Sequence, residues 1–426
     1  MSPKRNRAGP RLLTGRGYTA TGIVPASGCE MKKIIVNNLR GYKRKLLEFL
    51  ARRHFYGDAS RKMNVVGVTG TNGKTTITTL LYKLFTRLGY RAGLIGTIEN
   101  IIIDEVRPTT HTTPRPIQLN RLLNEMLAKG CQYVFMEVSS HGMDQKRIAG
   151  IHFAGGIFTN LTHDHLDYHK NLENYFNAKK KFFDMLPEKS FALANIDDDY
   201  GEKILENTKA DIYRYGLKKD AVFRERLETQ LIGDFNRYNV LAVYAAAVLL
   251  GEDKEKVKEI LKNLDGAEGR FQSITSADNI TGIVDFAHTP DALENVLTTI
   301  RTMLKDLERI ITVFGCGGGK DPSKRPAMTR IVYEMSDISI PTADNPRNEN
   351  IERIFEDMRA GLPENLNKEI YFIPDRREAI QKACTIAMSG DYIVVTGKGH
   401  EKYQIIKGIK HSFSDLEELK KNFTKR

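Results

Sequence analysis

Cysteine is scarce in this 426-residue chain: Cys29, Cys131, Cys316 and Cys384 are scattered, with no C-x-x-C spacing. That excludes the usual zinc frameworks and a disulfide scaffold, and it suits a reducing, cytoplasmic compartment. Hydrophobic residues make up 41% of the chain, yet no apolar run is long enough to span a bilayer, so a soluble protein without a membrane partner is expected. The basic residues at the start are not followed by an apolar core, so no secretory signal is read there. Internal repeats are lacking too. Residues 1–30 are rich in Arg, Gly and Pro and show no periodicity, which predicts a poorly ordered leader. Met31 is a second candidate start, ahead of a strand over 33–36 and a basic helix over 43–54.

Acidic side chains are nearly missing from the same region. Residues 1–62 hold 15 Lys and Arg against Glu30, Glu48 and Asp58, which accounts for the whole net charge of +12. The rest of the chain balances at 50 basic and 50 acidic residues. A solvated basic leader explains this better than a nucleic-acid face, because no aromatic-basic motif accompanies the charge. The expectation is a monomer with no nucleic-acid partner.

The length suggests two or three domains. We divide the chain into a leader segment 1–62, a central domain 63–268 and a second domain 269–426. The polar stretch Asp265-Gly266-Ala267-Glu268-Gly269-Arg270 serves as the hinge. From Met63 strands and helices alternate, which predicts an α/β fold with a parallel sheet covered on both faces. The chain is organised around Val65-Val66-Gly67-Val68-Thr69-Gly70-Thr71-Asn72-Gly73-Lys74-Thr75-Thr76. An apolar strand runs into a Gly-rich turn and then a helix over 77–88. That order aims backbone N–H groups and a helix N-terminus at a polyphosphate. Lys74 would reach the terminal phosphates, and the Thr75 hydroxyl would ligate Mg²⁺. The glycines read Gly70-x-x-Gly73, so this is a variant phosphate loop.

Further along, His111-Thr112-Thr113-Pro114 precedes a helix over 117–128 that ends at Gly130. A buried strand over 133–138 delivers Glu137-Val138-Ser139-Ser140-His141 to the end of the sheet where ligands gather. Glu137 there is either a second Mg²⁺ ligand or a charge at a helix N-terminus. A strand over 156–160 leads to Asp164-His165-Leu166-Asp167-Tyr168-His169, dense enough in ligating groups to favour metal or phosphate contact. The next helix carries Lys179-Lys180-Lys181, from which residue chemistry alone picks no member. Asn236 and Asn239 share a helix face and either bond a base or cap the helix. In the second domain, four strands end in Asp285-Phe286-Ala287-His288-Thr289-Pro290, Gly315-Cys316-Gly317-Gly318-Gly319-Lys320, Asp344-Asn345-Pro346-Arg347 and Gly397-Lys398-Gly399-His400-Glu401. All four loops can converge on one sheet edge.

Taken together, these strings resemble the Mur ligase family, ATP-dependent amide-forming enzymes of cell-wall precursor synthesis. The resemblance runs from about Tyr56 to Asp415. It implies a P-loop ATPase-like central domain and a Rossmann-like C-terminal domain. Gly70, Thr71, Asn72, Gly73, Lys74, Thr75 and Thr76 match the ATP-binding loop. Thr112, Thr113, Ser139 and Arg147 match contacts to the substrate peptide. Thr75, Glu137 and His165 match the holders of two Mg²⁺ ions, and Tyr175-x-x-Ala178-Lys179 selects Lys179 as a carbamylated lysine. Asn236 and Asn239 then look like adenine-side contacts, Asp285 like the ribose contact, and Arg270 like the arginine at the γ-phosphate.

In that family Asp344-Asn345-Pro346-Arg347 goes with meso-diaminopimelate, while lysine-adding relatives replace the arginine. Arg347 can hold the extra carboxylate with two parallel charge-assisted bonds. Gly397 and Glu401 match contacts to the same amino acid, and Lys320 stands where an arginine is common. The resemblance implies a UDP-activated peptide as the other substrate, UDP-N-acetylmuramoyl-L-alanyl-D-glutamate, joined through an acyl phosphate. The stretch before Met63 is shorter than the family's uridine-binding domain, and only 34–62 resembles its last strand and helix. Rival readings are a folylpolyglutamate synthase, an archaeal pseudomurein peptide ligase, and a nucleotide-binding partner protein without ligase activity.

Overall fold

The computed structural model describes residues 59–426. The expectations for the leader, its strand and its basic helix, and Cys29 with them, lie outside the described residues. Strands β1 (Asn64–Thr69), β2 (Ala92–Ile95), β3 (Glu99–Ile102), β4 (Glu105–Pro108), β5 (Tyr133–Glu137), β6 (Gly155–Phe158), β7 (Phe191–Asn195) and β8 (Asp211–Tyr215) form one sheet. Its order is β4-β3-β2-β5-β1-β6-β7-β8. All neighbours pair in parallel except β3, which runs antiparallel to both β2 and β4. The β3–β4 hairpin was not anticipated. Its outer strand reads Glu-Val-Arg-Pro with mostly exposed residues, the polar composition by which an edge strand resists further pairing.

β1 is buried from Val65 to Thr69, and the apolar run is continuous because both faces are covered. On one face Ile77, Leu80, Leu81, Leu84 and Phe85 of helix Lys74–Arg87 pack with Val66, Val68 and Phe135. Behind them lies helix Asp234–Leu249, whose residues 239–247 are all buried. On the other face Val65, Val134 and Met136 meet Met126 and Phe182. Central position and parallel register have one consequence for chemistry. Val68 sits level with Glu137 on one side and Ile157 on the other, so the C-terminal ends of β1, β5 and β6 open side by side.

A second sheet follows, built from β9 (Gln272–Thr275), β10 (Thr281–Asp285), β11 (Ile310–Cys316), β12 (Ile338–Ala343), β13 (Glu369–Ile370) and β14 (Tyr392–Thr396), in the order β13-β12-β11-β14-β10-β9. Only β9 is antiparallel. β11 runs two residues past the expected end at Phe314, because Gly315 lets it lie flush on β12: a Cβ there would stand 2.6 Å from Thr342 O. A separate hairpin, β15 (Tyr403–Ile406) and β16 (Ile409–Ser412), leans on the loop after β12. The two sheets belong to one compact unit. Helix Lys74–Arg87 anchors the segment joining them: Lys83 Nζ donates to Asp265 O (3.0 Å) and Gly266 O (2.8 Å), and Arg87 Nη1 donates to Asn263 O (2.9 Å). Among the described residues, no helix is long and apolar enough to cross a membrane.

Candidate functional site

The loop after β1 is shaped by contacts that leave no room for side chains. A Cβ on Gly70 would fall 1.8 Å from Thr159 Oγ1, and one on Gly73 would fall 2.6 Å from Asn239 Oδ1, with Gly73 at φ +85°. The end of β6 grips the same loop: Thr71 N donates to Asn160 O (2.8 Å), Asn72 N to Asn160 Oδ1 (2.8 Å), and Thr159 Oγ1 to Asn72 O (2.6 Å). Helix Lys74–Arg87 starts directly from Gly73 without a side-chain cap, so its first amides face the loop's concavity. Lys74 Nζ folds over the loop onto the carbonyls of Gly70 (2.9 Å) and Thr71 (2.7 Å).

Lys179 comes from helix Leu172–Asp184, capped by the Asn171 side chain, and projects into the same loop. Its Nζ donates to Gly70 O at 2.7 Å and lies 4.5 Å from the centre of the Tyr175 ring. Burial, with the Lys74 ammonium nearby, drives its pKa well below the ordinary lysine value. Lys180 instead pairs with Asp184, and Lys181 is exposed. Fold context therefore singles out one lysine of the triplet.

Glu137, at the end of β5, is almost fully buried and is held on both oxygens. Thr75 Oγ1 and Thr97 N donate to Oε1 at 3.0 and 2.8 Å, and Thr97 Oγ1 lies 2.9 Å from Oε2. Arg270, from the segment between the sheets, donates through Nη2 to Thr75 Oγ1 at 3.2 Å and stacks 4.6 Å above the Phe286 ring. Its Nε is buried and has no hydrogen-bond partner among the described residues. A cavity of about 140 Å³ opens beside Thr75 and Glu137, with Lys83, Glu99 and Glu268 on its wall. Among the described residues no three His, Cys, Asp or Glu side chains form a metal cluster. Mg²⁺ does not require one. It is commonly held by one or two protein oxygens plus substrate phosphates, and Thr75 Oγ1 beside Glu137 Oε1 is such an oxygen pair.

The other central-domain candidates gather around this pair. Thr113 Oγ1 donates to Glu137 O (2.9 Å) and accepts from Ser139 N (2.9 Å), while Arg147 Nη1 donates to Thr113 O (2.7 Å). Thr112 Oγ1 is 3.0 Å from Thr97 Oγ1. His165 takes a left-handed backbone (φ +56°), its ring 4.9 Å from that of His141 and its Nε2 3.5 Å from Asp164 Oδ2. Burial pushes its pKa down although Asp164 opposes this. Asn236 does not cap its helix: the cap position is Gly233, and Asn236 Nδ2 turns back to Ile232 O (2.8 Å). Asn236 Oδ1 accepts from Asn239 Nδ2 at 3.1 Å.

The four loops of the second sheet do converge. Asp285 Oδ2 accepts from Phe271 N and Oδ1 from Ala287 N, both at 2.7 Å, so this carboxylate fixes the segment that carries Arg270. Gly269, at φ +64°, lies so close to Gly399 and His400 that a Cβ would be 2.1 Å from His400 N. The loop after β14 is thereby wedged between Arg270 and the loop after β12. In the latter, Arg347 is held at φ +54° by Ile405 O, which accepts from its N (2.9 Å). Its Nη1 donates to Gly318 O (2.8 Å) and Asn345 O (3.2 Å), while Nε and Nη2 make no bond to the described residues. Gly317 leaves the space beside Nη1, and Pro346 is buried beneath Gly318. Glu401 Oε2 accepts from Asn345 Nδ2 (2.8 Å), Gly397 packs near Asp344, and Lys320 is exposed at the rim.

Two sequence models match. Residues 68–247 fit the Mur ligase middle domain, and residues 269–399 fit the Mur ligase, glutamate ligase domain. The chain belongs to the Mur ligase family. A relative from Cytophaga hutchinsonii named UDP-N-acetylmuramoyl-L-alanyl-D-glutamate--2,6-diaminopimelate ligase is 53% identical over 379 residues, covering 85% of this chain and 78% of the relative. A solved structure of a ligase with that name superposes with a TM-score of 0.60 at 33% identity, covering 88% of this chain and 80% of that one. A Mycobacterium tuberculosis folylpolyglutamate synthase superposes with a TM-score of 0.66, covering 83% and 93%. At 16% identity it shares the fold alone.

Several residues of this Mur ligase site were not singled out by sequence. Thr97, Asn160 and Lys398 each stand just past the end of a parallel strand, which is the signal that would have found them. Asp291 had no such signal. It lies in the first turn of helix Pro290–Arg301 and accepts from Asn72 Nδ2 at 2.7 Å, tying the phosphate loop to the second sheet.

Proposed function

We propose that this Mur ligase joins meso-diaminopimelate to UDP-N-acetylmuramoyl-L-alanyl-D-glutamate at the expense of ATP, in peptidoglycan precursor synthesis. The γ-phosphoryl group passes to the terminal carboxylate of the peptide, giving an acyl phosphate and ADP. The amine of diaminopimelate then attacks the acyl carbon, losing a proton, and phosphate leaves with the bonding electron pair. The observation that carries this reading is Arg270, which reaches from the second sheet's segment to the Thr75–Glu137 pair at the phosphate loop.

In this reading the first amides of helix Lys74–Arg87 and the Lys74 ammonium hold the phosphates. Lys74 exchanges the Gly70 and Thr71 carbonyls for phosphate oxygens. Arg270 offsets charge as it moves onto the bridging oxygen. Thr75, Glu137, His165 and a carbamylated Lys179 would hold two Mg²⁺ ions, which when bound supply Lewis-acid neutralisation of the phosphates. Lys179 suits that modification because a neutral amine attacks CO₂, releases a proton and becomes an anionic oxygen donor. Thr112, Thr113, Ser139 and Arg147 orient the peptide carboxylate. Asn236 and Asn239 lie on the adenine side, and Asp285 serves the ribose. The free Nε/Nη2 edge of Arg347 accepts the distal carboxylate of diaminopimelate, and Glu401 its distal ammonium.

The direct test supplies ATP, Mg²⁺, the UDP-linked dipeptide and either diaminopimelate or lysine, and follows phosphate release. Release with diaminopimelate alone is expected. An equal rate with lysine, or none with either, overturns the assignment. Arg347→Ala should raise the KM for diaminopimelate by ten- to a hundredfold, about 1.5–3 kcal/mol for a lost charged hydrogen-bond pair. An unchanged KM removes Arg347 from that role. Asp291→Ala should weaken nucleotide binding by several fold, roughly 1 kcal/mol for one hydrogen bond. Calorimetric titration with a non-hydrolysable ATP analogue measures this, and parental affinity would show that the Asn72 link is idle.

A further inference from the structure

The amino-acid loops contain a cation that the contacts above do not use. Lys398 is completely buried, and its Nζ donates to Glu401 Oε2 at 2.8 Å and to Asn345 Oδ1 at 3.3 Å, with Asp344 Oδ1 at 3.7 Å. Asn345 closes the ring, since its Nδ2 donates to the same Glu401 oxygen and its Oδ1 also accepts from Ile405 N at 2.9 Å. One ammonium thus fixes residues from two of the four loops. Glu401 keeps Oε1 unbonded among the described residues.

The four charged groups that meet in this corner cancel. Asp344 and Glu401 are anionic, and Lys398 and Arg347 are cationic. His400 is kept neutral, with burial and the nearby Arg270 pushing it down to about 4. Arg376, which also senses Asp344 and Glu401, is spent in a fully buried two-bond pair with Asp415. Lys320 is exposed at the rim, where water screens it. A set of fixed charges that sums to zero complements a ligand end that also sums to zero. An ammonium and a carboxylate on one carbon fit it, and an ammonium alone does not.

We infer that Lys398 is a specificity-determining positioning residue: it holds Glu401 and Asn345 in place and cancels one carboxylate, which matches the pocket to a zwitterionic distal group. This rests on the proposed use of diaminopimelate. Without the Lys398 charge, the corner becomes anionic, repels the distal carboxylate and favours a bare ammonium.

The full chain is assayed as parent, Lys398→Gln and Lys398→Gln/Glu401→Gln, with kcat and KM for diaminopimelate, lysine and ATP. Gln retains a donor for Glu401 without its charge. The double variant removes both charges, so it is the one that leaves no added uncompensated carboxylate and keeps the test readable if the single variant folds poorly. Lys398→Gln should lower the preference for diaminopimelate over lysine by about tenfold, the scale of one unbalanced charge near a ligand. The KM for ATP should stay within about twofold, because the bonds of Lys398 Nζ run to Asn345 and Glu401 in the amino-acid loops. In the double variant, again balanced, the preference should return toward the parent's. An unchanged preference, or equal losses with both amino acids, overturns the inference while leaving the ligase assignment standing. A parent inactive with diaminopimelate overturns both.

Discussion

A Lys179→Met variant is expected to lose about three orders of magnitude of ligase turnover, ~4 kcal/mol of transition-state stabilisation, without losing stability. Lys179 Nζ is buried 2.7 Å from Gly70 O, and burial together with Lys74 holds its pKa well below normal. Methionine is of similar length and carries no charge to desolvate. The linkage sign supports equal or higher stability. A lysine whose folded pKa is depressed binds more protons when unfolded, so the unmodified side chain works against folding at every pH below the unfolded value, and increasingly as pH falls toward the folded one. The variant should therefore melt no lower than the parent near neutral pH, and lose the advantage only above the unfolded lysine pKa. Carbon-13 NMR under labelled bicarbonate should show a carbamate signal in the parent alone. Turnover within tenfold of the parent, or the same signal in both proteins, would remove Lys179 from the reaction.

Most of this site could be read from the sequence because its parts sit where strands end. The β1 loop, the Glu137 strand end and four loops of the second sheet each follow an apolar run, and parallel pairing brings such ends to one edge. Choosing Lys179 over Lys180 or Lys181 from residue chemistry was not feasible, since all three are the same group. What differs is the helix face, and only Lys179 is buried against Gly70. Lys398 stood at a legible place, just past the end of β14, but its burial and its contacts were not legible. Its partners Asp344 and Asn345 lie more than fifty residues away, and nothing local says that a lysine in a glycine-rich turn will be buried. Asp291 looked like an ordinary acidic first-turn residue, stabilised by the helix dipole. Its bond to Asn72 spans 219 residues of sequence. The β3–β4 hairpin escaped because its outer strand must be polar, which erases the alternation that marks a strand.

Removing the guanidinium of Arg270 is expected to lower kcat by about a hundredfold to a thousandfold, the range seen when one preorganised donor to a developing charge is deleted. Arg270 has three features that suit this role and no other obvious one. Its Nη2 already contacts Thr75 Oγ1, the hydroxyl bonded to Glu137. Its Nε is buried with no partner among the described residues, a costly state unless a ligand oxygen arrives to satisfy it. Phe286 stacks beneath the plane and Gly269 leaves its chain pressed on His400, so the group is fixed before substrate binds. Preorganisation of that kind lowers the barrier more than it tightens the ground state. Arg270→Ala should accordingly depress kcat far more than it raises the KM for ATP, and Arg270→Lys should restore only part of the loss, because a point charge cannot serve Thr75 and a phosphate oxygen through one fork. Steady-state rates at saturating amino acid separate the two parameters. A variant whose loss falls wholly on KM would mean that Arg270 binds nucleotide without assisting phosphoryl transfer, and a kcat within threefold of the parent would remove it from the chemistry.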